Sequence, residues 1–210
     1  MSEIERLSSS VYGEEERFHC EDNGQSCCVY FGLRTVPDKW VEELWNLYEE
    51  SLHIEDAIQQ QSCYTRETFL DALSDTDYGK TVLVIDDVPS GLLLATDDLE
   101  KASITYINPD FIRKRFPADV EAKRFWYITA VFISPRVRNF GFVKLMGKAS
   151  VLTVKERDYV IGCDMSDSRL FLLDMLIDIA REEDFLLEKE LLGTQSYYAL
   201  KKPSQDTGPG

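Results

Sequence analysis

Histidine is scarce in this chain: His19 and His53 are the only two among 210 residues. No Ser-His-Asp or Cys-His catalytic arrangement is supported by so few. His53 trails the first helical pattern and reads as a surface residue. Basic residues are also under-represented, 23 against 38 acids, for a formal charge of −15. Such a surface repels nucleic acid and anionic lipid, so neither is expected as a partner. A cationic substrate or a basic protein suits it better, although a plainly solvated acidic surface accounts for the same composition. No apolar run is long enough to span a bilayer, and the N-terminal MSEIERLSSS lacks the apolar core of a signal peptide. The five cysteines (Cys20, Cys27, Cys28, Cys63 and Cys163) are odd in number and include an adjacent pair. That pattern predicts reduced thiols in a cytoplasmic protein. His19-Cys20 and Cys27-Cys28 match no common zinc spacing, so no metal site is expected.

What is present reads as one domain. Residues 1–26 hold seven acids, two bases and little periodicity, and are expected to form a flexible acidic lead-in. Residues 203–210 read as a disordered tail, leaving a single domain over 27–202. CCVYFGLRTV predicts a strand. Trp40, Val41, Leu44, Trp45, Tyr48 and Leu52 then form a helical stripe, with Pro37 in the first turn. Residues 65–74 predict a second, short helix with Phe69, Leu70 and Leu73 inward. TVLVID and GLLLAT predict a hairpin around Asp87–Ser90, and residues 101–107 a further strand. Residues 108–124 read as an inserted loop or helix. WYITAVFI (126–133) carries almost no polar side chain and predicts a central strand buried on both faces. The Phe142, Leu145, Met146, Ala149, Leu152 stripe predicts a helix, and DYVIGC (158–163) a parallel strand after it. A helix over 168–182 and a hairpin built from FLLEKEL and SYYALKK complete the chain. The predicted fold class is α/β (mixed α+β): a central mixed β-sheet with helices on both faces.

The charge is unevenly placed. No acid occurs between Glu121 and Glu156, while that window holds Lys123, Arg124, Arg136, Arg138, Lys144, Lys148 and Lys155. Lys144, Lys148 and Lys155 share one helix face, and Arg136 and Arg138 stand at the helix start. Cations are unfavourable at a helix N-terminus, where unpaired N–H groups already favour an anion, so an anionic ligand would relieve them. The same residues also fit a solvated basic helix paired with the acidic segment 164–190, which has nine acids and three bases.

At ISPRVRNFGFV (133–143) the sequence resembles the GNAT-type N-acetyltransferases. In that superfamily an apolar strand with a V-x-P-like end runs into R/Q-x-x-G-x-G/A at a helix start. Ile133-Ser134-Pro135 stands for the strand end, and Arg138, Gly141 and Val143 for the R, G and G/A positions. Asn139 occupies a place where the family often has glycine. The order of predicted elements over 27–200 is similar to the whole family fold. The resemblance implies acetyl-CoA, or another acyl-CoA, as cofactor. The backbone amides of residues 138–143 (Arg138, Asn139, Phe140, Gly141, Phe142, Val143), with Arg136, would cradle its pyrophosphate. The backbone of strand 126–133, including Val131, Phe132 and Ile133, would pair with its pantetheine arm.

The implied activity is acyl transfer to a primary amine of a small molecule or protein, with a cationic acceptor favoured by the acidic surface. Transfer requires a proton acceptor for the amine, donors for the developing negative charge, and a proton for the departing thiolate. Tyr127 and Thr129 occupy the places where the family often has a glutamate. Leu173-Asp174 stands near its frequent tyrosine. Asp164 at the end of strand 158–163 and Tyr198 on the last expected strand are further candidates, each also explained by helix entry or core packing. The missing glutamate and tyrosine leave open a second reading, a GNAT-like module that binds acyl-CoA or a protein partner without catalysis. A homodimer is compatible with the sequence.

Overall fold

The computed structural model describes residues 5–7, 16–22, 25–54, 64–102, 108–137, 140–165 and 170–193. Its strands lie side by side in chain order: β1 (Glu5–Leu7), β2 (Glu16–Asp22), β3 (Gln25–Leu33), β4 (Tyr78–Ile85), β5 (Val88–Thr96), β6 (Phe125–Ile133) and β7 (Val160–Cys163). All neighbours are antiparallel except β6 and β7, which run parallel. The mixed sheet is therefore as the sequence predicts. It begins earlier than expected: β2 pairs with β3 from Glu16↔Phe31 to Asp22↔Gln25, inside the segment read as a flexible lead-in. Its ERFHCED alternates too weakly to announce a strand, and pairing to a regular neighbour supplies what the side chains do not.

Among the described residues, six helices follow from apolar stripes and caps: α1 (Asp38–Ile54), α2 (Arg66–Ser74), α3 (Pro109–Arg115), α4 (Pro117–Glu121), α5 (Phe140–Arg157) and α6 (Phe171–Glu182). Thr65 caps α2 by accepting from the Thr68 N–H, and Asn108 caps α3 through the Asp110 N–H. The 108–124 region is thus two short helices. Strand alternation distributes the helices over two faces. Trp40, Leu44, Tyr48, Phe69 and Leu73 of α1 and α2 pack on Val82, Val84, Leu92, Leu94 and Phe132. Phe142, Leu145, Met146 and Ala149 of α5 pack on Val29, Leu83 and Ile85 from the other face. Helix α6 lies against α5, where a Cβ on Gly147 would come 3.0 Å from Ile179 Cδ1. Helix α5 is apolar on two sides because it packs between the sheet and α6.

Four expectations need correction. The β4–β5 connection is a two-residue turn, Asp86-Asp87 at φ 48° and 66°, rather than a loop over 87–90. Aspartate tolerates this left-handed region, and a bulge between Leu83 and Val84 accommodates Pro89 within β5. Residues 185–193 carry no regular structure, so the FLLEKEL half of the terminal hairpin does not form there. Its partner SYYALKK (196–202), and the expected strand residues 103–107, lie outside the described residues. Strand β6 is not buried throughout: Val131 is 41% exposed. Finally, Cys27 is disulfide-bonded, whereas Cys28 and Cys163 are reduced. The reduced state expected for all five cysteines therefore does not hold at Cys27. No helix among the described residues is long and apolar enough to cross a membrane, and they hold no cluster suited to a metal ion.

Lys80 of β4 is fully buried and joins the two ends of the α1–α2 segment. Its Nζ donates to the Arg34 carbonyl at 2.7 Å and to the Asp75 carbonyl. Burial lowers its pKa from 10.5 to about 8. Between those values the unfolded chain binds more protons than the folded one, so this group makes folding more favourable as pH rises through that window. Thermal unfolding at pH 7.5 and 9.5 should show the parent gaining stability relative to Lys80→Met. A parent-to-variant difference independent of pH would contradict the assignment.

Candidate active site

The β6–β7 ladder is short. Phe125↔Val160, Trp126↔Ile161, Tyr127↔Gly162 and Ile128↔Cys163 are paired, and β7 then stops. Strand β6 continues for five residues, Thr129–Ile133, and among the described residues no strand pairs with them on that side. Unpaired edge backbone is available for an extended ligand. Thr129 also interrupts the β5–β6 ladder: Leu94 faces Ala130 and Ala95 faces Ile128, leaving Thr129 as the extra residue of a bulge. The ladder end and the bulge therefore fall at one place.

Two hydrogen-bonded pairs converge there. Tyr127 Oη donates to Asp164 Oδ1 at 2.7 Å, so two candidates 37 residues apart form one unit. Burial, reinforced by the Asp164 carboxylate, raises the Tyr127 pKa far above the ordinary tyrosine range. This hydroxyl remains a donor and is no base at neutral pH. Burial likewise pushes the Cys163 thiol up to about 11. Asp164 itself is exposed and able to meet a ligand. The second pair was missed in the sequence. Tyr64 Oη donates to Thr129 Oγ1 at 2.8 Å, and the Tyr64 N–H donates to Tyr48 Oη at 2.7 Å. Tyr64 stands immediately before the cap of α2, and its one sequence signal was the Thr65 cap that fixes it there. Burial raises its pKa as well, partly offset by the bond to Thr129. Behind it Tyr48, Phe69 and Phe132 fill the space, with Tyr48–Phe69 centroids at 5.0 Å and Tyr48–Phe132 at 5.6 Å.

Beyond β6 the chain turns through a one-turn 3₁₀ helix, Pro135–Val137, into α5. Ser134 is buried and holds the turn: its N–H donates to the Ser90 carbonyl at 2.8 Å, and its Oγ accepts from the Arg136 N–H at 3.3 Å. Arg136 is exposed at the edge of a 280 Å³ cavity lined also by Glu50, Pro89, Ser90 and Ser134. Arg138 and Asn139 lie outside the described residues, as does Tyr198. Gly141 is exposed and Val143 half-buried. Phe142 points into the core, as does Phe132, so those two offer only backbone to a ligand; Ile133 also packs against the α5 core. The basic face of α5 is already engaged. Lys144 pairs with Glu182 at 2.8 Å, Lys148 with Glu183 at 2.5 Å, and Lys155 Nζ donates to the Glu183 carbonyl at 2.5 Å. For these three lysines, pairing with the acidic 164–190 segment is the reading that holds.

Neither a protein-family model nor a curated protein matches the chain. Solved structures similar to it are N-acetyltransferases. An aminoglycoside acetyltransferase, meta-AAC0020, from an uncultured soil metagenomic sample is 13% identical, with 86% of this chain and 99% of that one covered at a TM-score of 0.47. The aminoglycoside N-acetyltransferase AAC(6')-Iy in complex with CoA is 11% identical over 84% of this chain and 98% of its own, at 0.46. A ribosomal-protein-alanine N-acetyltransferase from Brucella melitensis biovar Abortus 2308 is 11% identical over 85% and 99%, at 0.43.

Gly162 sets the spacing of the site. A Cβ there would stand 2.8 Å from both Phe125 Cζ and Tyr127 Cδ2, against ring atoms of two buried residues. Gly162→Ala should destabilise the fold by about 2 kcal/mol through overpacking, read by urea unfolding. Unchanged stability would mean that β6 and β7 approach less closely than described.

Proposed function

We propose that this chain is an acyl-CoA-dependent N-acyltransferase that transfers an acetyl group from acetyl-CoA to a primary amine of a small molecule or protein. The observation that carries the proposal is the open β6 edge, Thr129–Ile133, running directly into the Ser134–Val137 turn at the start of α5. The residues suit the cofactor on two counts. The edge supplies unpaired strand backbone for an amide-bearing arm, and the turn presents Arg136 exposed, with no ion pair among the described residues, to a phosphate. Arg138 and the amides of residues 138–143 extend that cradle by the family resemblance. When bound, acyl-CoA supplies an activated thioester.

The chain's own residues then place and deprotonate the acceptor. Asp164, beside the ladder end and oriented by Tyr127, takes the proton from the amine. Acyl-CoA would supply the acyl group for the new C–N bond, and its sulfur, freed from the C–S bond, would leave as the thiol with a proton from solvent. Tyr127 keeps its own proton and serves to hold Asp164. The aromatic packing beside Thr129 favours a short acyl group. A charge of −15 favours a cationic acceptor such as a polyamine, an aminoglycoside-like compound, or a lysine or N-terminal amine on protein. The second reading, a module that binds acyl-CoA or a protein partner without transfer, draws on the lysines of α5: all three are occupied by Glu182 and Glu183 at the C-terminal end of α6, leaving fewer cations for phosphate.

Thermal unfolding with acetyl-CoA and CoA at low and high salt tests the cofactor. Stabilisation should reach about 2.7 kcal/mol at a hundredfold excess over Kd and weaken in high salt. Arg136→Glu or Arg138→Glu should remove it while the fold survives, and equal stabilisation of variant and parent would remove the turn from the site. Asp164→Asn separates the two readings. Transfer to the best amine found should fall about 100-fold with the cofactor shift intact, whereas unchanged turnover would exclude Asp164.

A further inference from the structure

Resting on the acyl-CoA reading, we infer that the Thr129 hydroxyl is the donor that recognises the acyl carbonyl, and that Tyr64 is the positioning residue behind it. Thr129 Oγ1 accepts from Tyr64 Oη, and a threonine hydroxyl has one proton to give. With Tyr64 as its donor, that proton has no acceptor among the described residues. Donation from a partly buried phenol polarises the second hydroxyl and strengthens what it donates in turn. The Tyr64 side chain is held in place from both ends. Its N–H is bound to Tyr48 Oη, and its ring packs edge-on against Phe69 at 5.9 Å.

The place matters as much as the donor. Thr129 is the bulge residue of β6, released from pairing with β5, and the first residue past the β6–β7 ladder. A ligand lying along Thr129–Ile133 therefore ends its strand-like path at this hydroxyl. On the other side of the ladder end, Asp164 begins where β7 stops. An acyl carbonyl placed between them has a donor at its oxygen and a carboxylate near the approaching amine. A preorganised donor of this kind opposes charge building on that oxygen without reorganising during the reaction.

The test compares acetyl-CoA with its S-ethyl thioether analogue, which has the same length and no carbonyl. Affinities are read by calorimetry on the full chain for the parent, Thr129→Val, Thr129→Ser and Tyr64→Phe, with circular dichroism as a fold control. The parent should prefer acetyl-CoA by ~10-fold, the worth of one hydrogen bond. Thr129→Val should lose the preference, Thr129→Ser should keep it, and Tyr64→Phe should reduce it to about threefold. S-ethyl-CoA affinity should stay constant across all four. A preference retained in Thr129→Val, or absent from a parent that binds both ligands, overturns the assignment. A parent that binds neither ligand overturns the acyl-CoA reading itself.

Discussion

Four residue pairs of parallel ladder, Phe125↔Val160 to Ile128↔Cys163, are the constraint on which the site depends. The ladder is long enough to fix β7 beside β6 and short enough to leave five residues of β6 unmatched. Glycine at 162 lets the strands lie close beneath the Phe125 and Tyr127 rings. That closeness brings Tyr127 Oη to Asp164, because Tyr127 faces Gly162 and Asp164 follows two residues on. From the β5 side the bulge at Thr129 releases the same position a second time. An edge opened by strand termination and a bulge in one register require no mobile element.

Charge is divided by the same architecture. The acid-free window from Glu121 to Glu156 looks like one basic feature in the sequence. Folding separates it into parts with different partners. Arg124 pairs with Asp119 and Asp158 at the start of β6, and Lys144 and Lys148 of α5 pair with Glu182 and Glu183 at the C-terminal end of α6. Such exposed pairs each contribute about 0–1 kcal/mol, so they orient α6 more than they hold it. Among the described residues, Arg136 at the turn is the cation from that window exposed beside the cavity.

Much of the fold was legible because burial imposes period. The α1 stripe, the α5 stripe and the β4–β5 pair follow from side chains that must face a core. The crossover from β6 to β7 through α5 follows from their order. What could not be read depends on partners. Strand β2 is a strand because β3 is beside it, and Tyr64 joins the site because α1, α2 and β6 bring its hydroxyl 2.8 Å from a residue 65 positions away. Asp164 and Tyr127 were separate candidates, and their union required the register of β6 on β7. Residues 185–191 failed in the opposite sense: their apolar side chains suggested a strand, yet Leu186 and Leu191 are 75% and 78% exposed.

Backbone amide hydrogen exchange with and without acetyl-CoA tests the account most directly, because it reads the strand edge itself. The open-edge account requires new protection at residues 129–133 and across the turn into α5, with the antiparallel β3–β4–β5 core unchanged. Protection elsewhere, or none at saturating cofactor, would contradict the claim that this edge is where the ligand lies.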